Sequence, residues 1–90
     1  MAHKYKDDAI SRLARIEGHV SAIKRMVGEE RACADILQQL AAVKAAINQV
    51  SRLVFEDHLE NCIVDLARQR PAEEVLDELK ATLSGFLKQS

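Results

Sequence analysis

Two cysteines and one histidine carry the chemistry that this sequence could perform most directly. Cys33 stands alone, whereas His58 and Cys62 are four positions apart. On a helix this spacing places both side chains on one face, where they can bind one metal ion together. Two thiolates and one imidazole are soft donors, which favours Cu(I), an ion that accepts low coordination numbers. A closed zinc site would need a fourth ligand, and the sequence has no third cysteine.

The same residues leave other interpretations open. A nickel site is conceivable if His3 or the N-terminal amine joins the set, although thiolate-rich ligands suit nickel less well. The cysteines could also be unrelated reduced thiols near a surface histidine, because a pair at a four-residue spacing is a weak signal. An enzyme is not favoured, since a nucleophilic cysteine needs a base, an orienting group and a pocket. We therefore expect a metal-binding protein without a small-molecule substrate.

Length and composition narrow the fold class. The chain has 90 residues, of which 48% are hydrophobic, 30% charged and 3% aromatic, with 3 glycines and 1 proline. These values exclude a disordered tail or a β-sandwich and indicate one all-α domain over residues 1–90. No apolar run approaches the roughly 20 residues that cross a membrane, and residues 1–6 lack the apolar segment of a signal peptide. We expect a cytoplasmic protein whose thiols stay reduced.

Apolar periodicity predicts three helices. The first extends from about Lys6 to Val27, and Gly28 can adopt the left-handed conformation that ends a helix. The second extends from about Arg31 to Gln69 without Gly or Pro, and the third follows Pro71. The apolar stripes are Ile10, Leu13, Ile16, Val20, Ile23 and Val27; then Cys33, Ile36, Leu40, Val43, Ile47, Val50 and Val54; then Leu76, Leu79, Leu83 and Phe86 or Leu87.

The long second helix is the reason to expect self-association. At 1.5 Å per residue it would extend about 54 Å, so one three-helix chain leaves part of its apolar stripe uncovered. Along this helix Cys33 would lie ~37 Å from His58 and ~43 Å from Cys62, too far to meet within one chain. In an antiparallel pair with its two-fold axis near Ile47, each Cys33 meets the other chain's His58 and Cys62. The same register pairs Val43 with Val50 and Leu40 with Val54.

Basic residues gather toward the start of the chain. Residues 1–25 carry six basic and three acidic side chains, whereas residues 53–90 carry four basic and eight acidic ones, beneath a net charge of -1. Candidate contacts to DNA phosphates are Arg12, Arg15, Lys24, Arg25, Lys44 and Arg52. Such basic residues more often form a solvated charged surface, and the sequence pattern contains no helix-turn-helix.

Three sequence blocks resemble the CsoR/RcnR family of bacterial metal-sensing repressors. They are RLARIEGHV from Arg12, ACADILQQLAAV from Ala32 and HLENC from His58, and the likeness covers nearly the whole chain. The resemblance implies an all-α, three-helix protomer with one long central helix, an antiparallel four-helix-bundle dimer with ligands from both subunits, and a dimer of dimers, that is, a homotetramer. It also implies a metal-free form that binds operator DNA and an inducer that releases it, permitting transcription of efflux or detoxification genes.

The family's branches differ at the ligand positions. The copper-sensing branch has Cys, His and Cys where this sequence has Cys33, His58 and Cys62. The nickel and cobalt branch has His at the position of Cys62, and its N-terminal histidine falls two positions before His3. The formaldehyde-responsive branch lacks the second cysteine, and the persulfide-sensing branch usually lacks the histidine. The resemblance therefore favours Cu(I).

The resemblance also implies roles outside the ligand set. Glu78 would accept a hydrogen bond from the free ring nitrogen of His58 and so link the metal to the quaternary structure. Arg12, with Arg15 and Arg52 nearby, would face DNA, although Gln49 stands where some copper sensors have a further arginine. Ala32 stands where the copper branch often has tyrosine.

Two other functions stay open beside a Cu(I)-responsive repressor. One is a repressor of the same fold in which persulfide sulfur crosslinks Cys33 to Cys62 of the partner subunit. The other is a metal-storage dimer that does not bind DNA.

Overall fold

The computed structural model describes residues 5–88, so His3 and Lys4 lie outside the described residues. Within this range the chain forms three helices and no strand: α1 (Lys6–Gly28), α2 (Cys33–Ala67) and α3 (Ala72–Lys88). The predicted all-α, three-helix chain with one long central helix is confirmed. None of the described helices is both long and apolar enough to cross a membrane.

The end of α1 differs from the prediction. The amide of Arg31 donates to the carbonyl of Met26 over 3.0 Å, and the amide of Glu30 donates to the carbonyl of Val27 over 3.1 Å. These two bonds form a Schellman motif, which places the left-handed residue at Glu30, where φ is 56°. The prediction of a left-handed Gly28 was wrong, because the chain reverses two residues later and Gly28 remains the last helical residue.

The end of α2 repeats this arrangement. The amide of Arg70 donates to the carbonyl of Asp65 over 3.1 Å, and the amide of Gln69 donates to that of Leu66 over 3.0 Å. Gln69 has a φ of 66° and is again a residue with a Cβ atom in a conformation that favours glycine. Both helix ends are therefore held by backbone hydrogen bonds at a conformational cost.

The chain divides into two compact units at a point within α2. Residues 6–50 form one unit, which contains α1 and the first half of α2, with Ala9, Ile23 and Val43 buried. Residues 51–88 belong to the other unit, which contains the second half of α2 and all of α3. There Cys62 and Val75 are buried, and the rings of Phe55 and Phe86 stack with centroids 5.4 Å apart.

The apolar stripe of α2 separates into two columns, each with a spacing of seven residues. Val43 and Val50 are only 6% and 8% exposed, so their own chain already covers them. Leu40, Ile47 and Val54 are 46%, 45% and 44% exposed and form the exposed column. Of the two apolar pairs predicted for a dimer, only Leu40 with Val54 therefore stays accessible to a second copy.

The stripe of α3 is rotated by about one residue from the predicted one. Val75, which the prediction omitted, is buried, whereas Leu76 is exposed. Leu79 and Phe86 are half-buried, as expected for residues that continue the face of Val75 at helical spacing. Val75 and Leu76 are adjacent and both apolar, so the sequence did not determine which of them faces the core.

Candidate functional site

His58 and Cys62 lie one turn apart in the second half of α2, on the face that their spacing predicts. Cys62 is buried and His58 is half-buried. The Nε2 atom of His58 is inaccessible and has no hydrogen-bond partner among the described residues. Leaving a buried polar group unpaired costs about 1–3 kcal/mol, so this imidazole is set up to gain from a further partner.

The setting of Cys62 disfavours the free thiolate. Burial raises the pKa of the Cys62 thiol, and the carboxylates of Asp65 and Glu78 raise it further, whereas Arg70 acts in the opposite direction. A thiol of this kind holds its proton and reacts slowly as a nucleophile. Its conversion to thiolate needs a cation at the sulfur, which is what a soft metal ion supplies on binding.

Arg70, three residues after the end of α2, binds carboxylates on both sides of the turn to α3. Its Nη1 donates to Oδ2 of Asp65 over 2.7 Å and to Oε2 of Glu78 over 3.3 Å. Its Nη2 donates to Oε1 of Glu78 over 2.8 Å, and a carboxylate oxygen of Glu74 lies 3.7 Å from the same nitrogen. Glu78, expected to accept a hydrogen bond from His58, is thus paired with Arg70 in this chain.

The hydrogen bonds from Arg70 are the main reason that the pKa of Glu78 lies below its ordinary value. The positive charges of Arg70 and His58 lower it further, while partial desolvation acts in the opposite direction. Glu78 therefore stays ionised and able to accept hydrogen bonds from either side chain.

Cys33 belongs to the other unit of the chain. It is the first residue of α2 and is exposed, in contrast to Cys62. Within residues 5–88, no group of three or more His, Cys, Asp or Glu side chains is placed to hold a metal ion inside one chain. The structure thus brings His58 and Cys62 together but does not add Cys33 to them.

The unit of residues 6–50 carries an open cavity of about 140 Å³ between α1 and α2. It is lined by Arg12, Arg15, Ile16, His19, Ala46 and Gln49. Nη1 of Arg12 donates to Oε1 of Gln49 over 3.1 Å, and its Nε donates to Oδ1 of Asp8 over 3.1 Å. Two arginines predicted to face DNA therefore share one surface, while the other two predicted contacts, Lys44 and Arg52, are exposed.

His19, which lines this cavity, and its partner Gln39 were not among the predicted functional residues. Nε2 of His19 lies 2.7 Å from Oε1 of Gln39, and the amide oxygen accepts the hydrogen bond. Antiparallel helices joined by a turn near residue 30 place opposite each other residues whose numbers add up to about 60. Arg12 with Gln49 and His19 with Gln39 nearly satisfy that rule, so the position of the turn was the signal that could have found them.

A sequence model of the family described as metal-sensitive transcriptional repressors matches residues 5–84 of this chain. The chain belongs to this family. It is 40% identical to the copper-sensing transcriptional repressor CsoR of Bacillus subtilis (strain 168) over 85 residues, which are 94% of this chain and 84% of that protein. The resemblance to the CsoR/RcnR repressors is thereby confirmed, and the family's members are transcriptional repressors rather than enzymes.

Two solved structures are similar to this repressor. The nickel-responsive transcriptional regulator InrS matches with a TM-score of 0.86 and 40% identity, covering 96% of this chain and 97% of that one. The copper-sensing repressor CsoR with Cu(I) from Geobacillus thermodenitrificans NG80-2 matches with a TM-score of 0.83 and 33% identity, covering 97% and 91%. The fold is therefore shared by a nickel-responsive and a copper-sensing protein, and the choice of metal depends on the ligands.

Proposed function

We propose that this repressor responds to Cu(I). Its metal-free form binds operator DNA, and Cu(I) binding at a Cys-His-Cys site between two subunits releases the DNA, so that copper efflux or detoxification genes are transcribed. The observation that carries this proposal is the donor set: a buried thiol at Cys62, one helical turn from the imidazole of His58, and a second thiol at Cys33. Its place of action is the cytoplasm, where thiols stay reduced.

The chemistry of the ligands favours copper over nickel. Two thiolates and one imidazole suit a soft d10 ion that accepts three ligands, whereas nickel generally takes more donors of harder character. A nickel site would need a further ligand such as His3 or the N-terminal amine. The burial of Cys62 supports the same choice, because a low-coordinate site needs little space and excludes water.

A second copy of the chain completes the site. The exposed column of α2 (Leu40, Ile47 and Val54) follows Cys33 at seven-residue intervals. One partner chain packed along this face would therefore cover the apolar column and contact the thiol. An antiparallel homodimer with its axis near Ile47 would cover the column and bring Cys33 to His58 and Cys62 of the partner subunit. Two such dimers would form the homotetramer.

Substitution at the proposed axis tests this assembly. Ile47→Glu places two like charges near the two-fold axis and should convert the dimer to monomers in analytical ultracentrifugation. Leu37→Glu is the matched control, because Leu37 is exposed but lies outside the column. Equal dissociation by both substitutions would contradict the proposed register.

Operator DNA is the proposed partner of the basic surface. The guanidinium of Arg12, held by Gln49, would bind a backbone phosphate, with Arg15, Lys44 and Arg52 as further contacts. Such contacts release counterions, so operator affinity should fall steeply as salt rises. A metal-storage dimer would show no salt-dependent DNA binding.

The experiment that tests the metal is an anaerobic Cu(I) titration of the reduced protein against a competing chelator. The wild type should bind one Cu(I) per subunit, and His58→Ala should bind it much more weakly. His19→Ala is the matched control, since His19 lies in the other unit and pairs with Gln39. Binding that is indifferent to His58 would contradict the proposal, and a chain-to-chain crosslink through Cys33 and Cys62 in non-reducing mass analysis would then indicate persulfide sensing.

A further inference from the structure

The imidazole of His58 lies near Glu78 without being bonded to it. Its charge contributes to the lowered pKa of Glu78, yet its buried Nε2 atom has no hydrogen-bond partner in the described chain. Both carboxylate oxygens of Glu78 accept hydrogen bonds from Arg70 instead, over 2.8 and 3.3 Å. Of these two side chains, therefore, only Arg70 holds the carboxylate of Glu78.

We infer that Arg70 and His58 compete for Glu78, and that Arg70 keeps this carboxylate from His58 until metal binds. Arg70 is thus a positioning residue for the metal response. The inference rests on the proposed function, because the partner that reorganises His58 is the metal ion.

Arg70 can release Glu78 at little cost. Its Nη1 keeps Asp65 at 2.7 Å, and the carboxylate of Glu74, now 3.7 Å from Nη2, is one small side-chain movement from direct contact. The guanidinium therefore stays paired after the exchange. His58 gains an acceptor for its buried nitrogen, which removes the only buried side-chain atom without a partner among residues 5–88.

Transfer of Glu78 from Arg70 to His58 determines the direction in which the affinities for Cu(I) and for operator DNA change. If the Arg70–Glu78 pair belongs to the metal-free, DNA-binding state, its loss must shift the equilibrium toward the metal-bound state. Removing Arg70 should therefore raise Cu(I) affinity and lower the operator affinity of the metal-free protein. A residue that only stabilises the turn would lower both affinities.

The test uses Arg70→Met, which removes the donors but keeps the aliphatic length, with Arg68→Met as its matched control. Arg68 is exposed, lies two residues away and does not bind Glu78. In the metal-free Arg70→Met protein, long-range proton–nitrogen NMR of the three histidines should show a new hydrogen bond at Nε2 of His58. We expect Cu(I) affinity to rise at least about fivefold and operator affinity to fall.

Arg70→Lys provides the second variant. Lysine keeps the charge but cannot bind a carboxylate through two parallel bonds, so its values should lie between those of the wild type and Arg70→Met. An unchanged His58 spectrum in Arg70→Met, or a lower Cu(I) affinity than in Arg68→Met, would overturn the inference. If the wild type binds no Cu(I), the proposed function fails, yet the His58 spectrum of the metal-free variants still decides the competition.

Discussion

The two units of the chain use arginine in opposite ways. Arg12, in residues 6–50, is held by the neutral amide of Gln49 and by one carboxylate, Asp8. Arg70, in residues 51–88, is surrounded by three carboxylates, two of them in direct hydrogen bonds. The charge of Arg70 is thus neutralised inside the chain, whereas that of Arg12 stays largely available. The partner group, not the arginine, decides whether the side chain supports the fold or recognises a ligand.

The two cysteines differ in a parallel way. Cys33 is exposed, while Cys62 is buried and its thiol has a raised pKa. Cys33 of the first unit is therefore within reach of an incoming molecule, whereas Cys62 of the second needs a compensating ion to become a thiolate.

The largest expected effect is the loss of Cu(I) binding in Cys62→Ser. Removal of a supporting residue near a metal typically costs 10–100-fold in affinity, so removal of a ligand should cost more than about 100-fold. Operator affinity of the metal-free protein should change little, because the basic residues proposed to contact DNA are untouched. Chelator competition and fluorescence anisotropy measure the two affinities. A comparable loss of operator affinity without metal would show that the two units do not divide these roles.

Substitution of Gln49 gives the next largest effect. Gln49→Glu supplies Arg12 with an anionic partner like those of Arg70, and we expect about a tenfold loss of operator affinity. The slope of log affinity against log salt should shrink by about one, the equivalent of one phosphate contact. Gln49→Ala, the matched control, removes the acceptor without adding charge and should cost less. Identical losses in both variants would mean that the charge of the partner is irrelevant.

The two left-handed residues allow a comparison of stability between the units. Gln69→Gly and Glu30→Gly each relieve a Cβ atom at positive φ and should raise the free energy of unfolding by about 1 kcal/mol in urea denaturation. Gln38→Gly, in the exposed interior of α2, should lower it by about the same amount. Stabilisation by only one of these two substitutions at helix C-termini would indicate that the units unfold separately.

The smallest effect concerns pH. Because the pKa of Glu78 is lowered in the folded chain, its ion pair with Arg70 stabilises the fold above the ordinary glutamate range and loses this contribution as pH falls through the lowered value. Wild type should therefore have a slightly higher melting temperature than Glu78→Gln near pH 7, and the difference should vanish once the pH is below the lowered pKa of Glu78. Glu73→Gln, an exposed neighbour on α3, is the control. A difference that persists in acid would contradict the ionic origin of the effect.

Much of the fold follows from the sequence, because apolar spacing determines where helices exist. The spacing predicted α2 as a single helix, and the structure confirms it. Spacing could not show which column of α2 is buried within the chain and which is exposed. Val43 and Ile47 are similarly apolar, and only three-dimensional packing makes one buried and the other exposed. The left-handed Glu30 was also not predictable, because residue type pointed to Gly28 while the backbone hydrogen bonds favour a later reversal.

The candidate site was predictable to the extent that it depends on residue type. Helical spacing was enough to place His58 beside Cys62, as observed. The partner of Glu78 was not determined by sequence, because Arg70 and His58 can both donate to a carboxylate, and the turn between α2 and α3 decides which one is reached. The assembly of Cys33 with His58 and Cys62 remains a prediction about two chains.

The position of Cys33 at the start of the exposed column has a consequence for concentration. A thiol at the edge of a self-association surface makes metal binding and dimerisation linked equilibria, in which each strengthens the other by the same factor. Dilution of such a protein weakens its hold on the ion, and supply of the ion lowers the concentration at which the chains pair. The threshold of the response would then depend on how many copies of the protein a cell keeps.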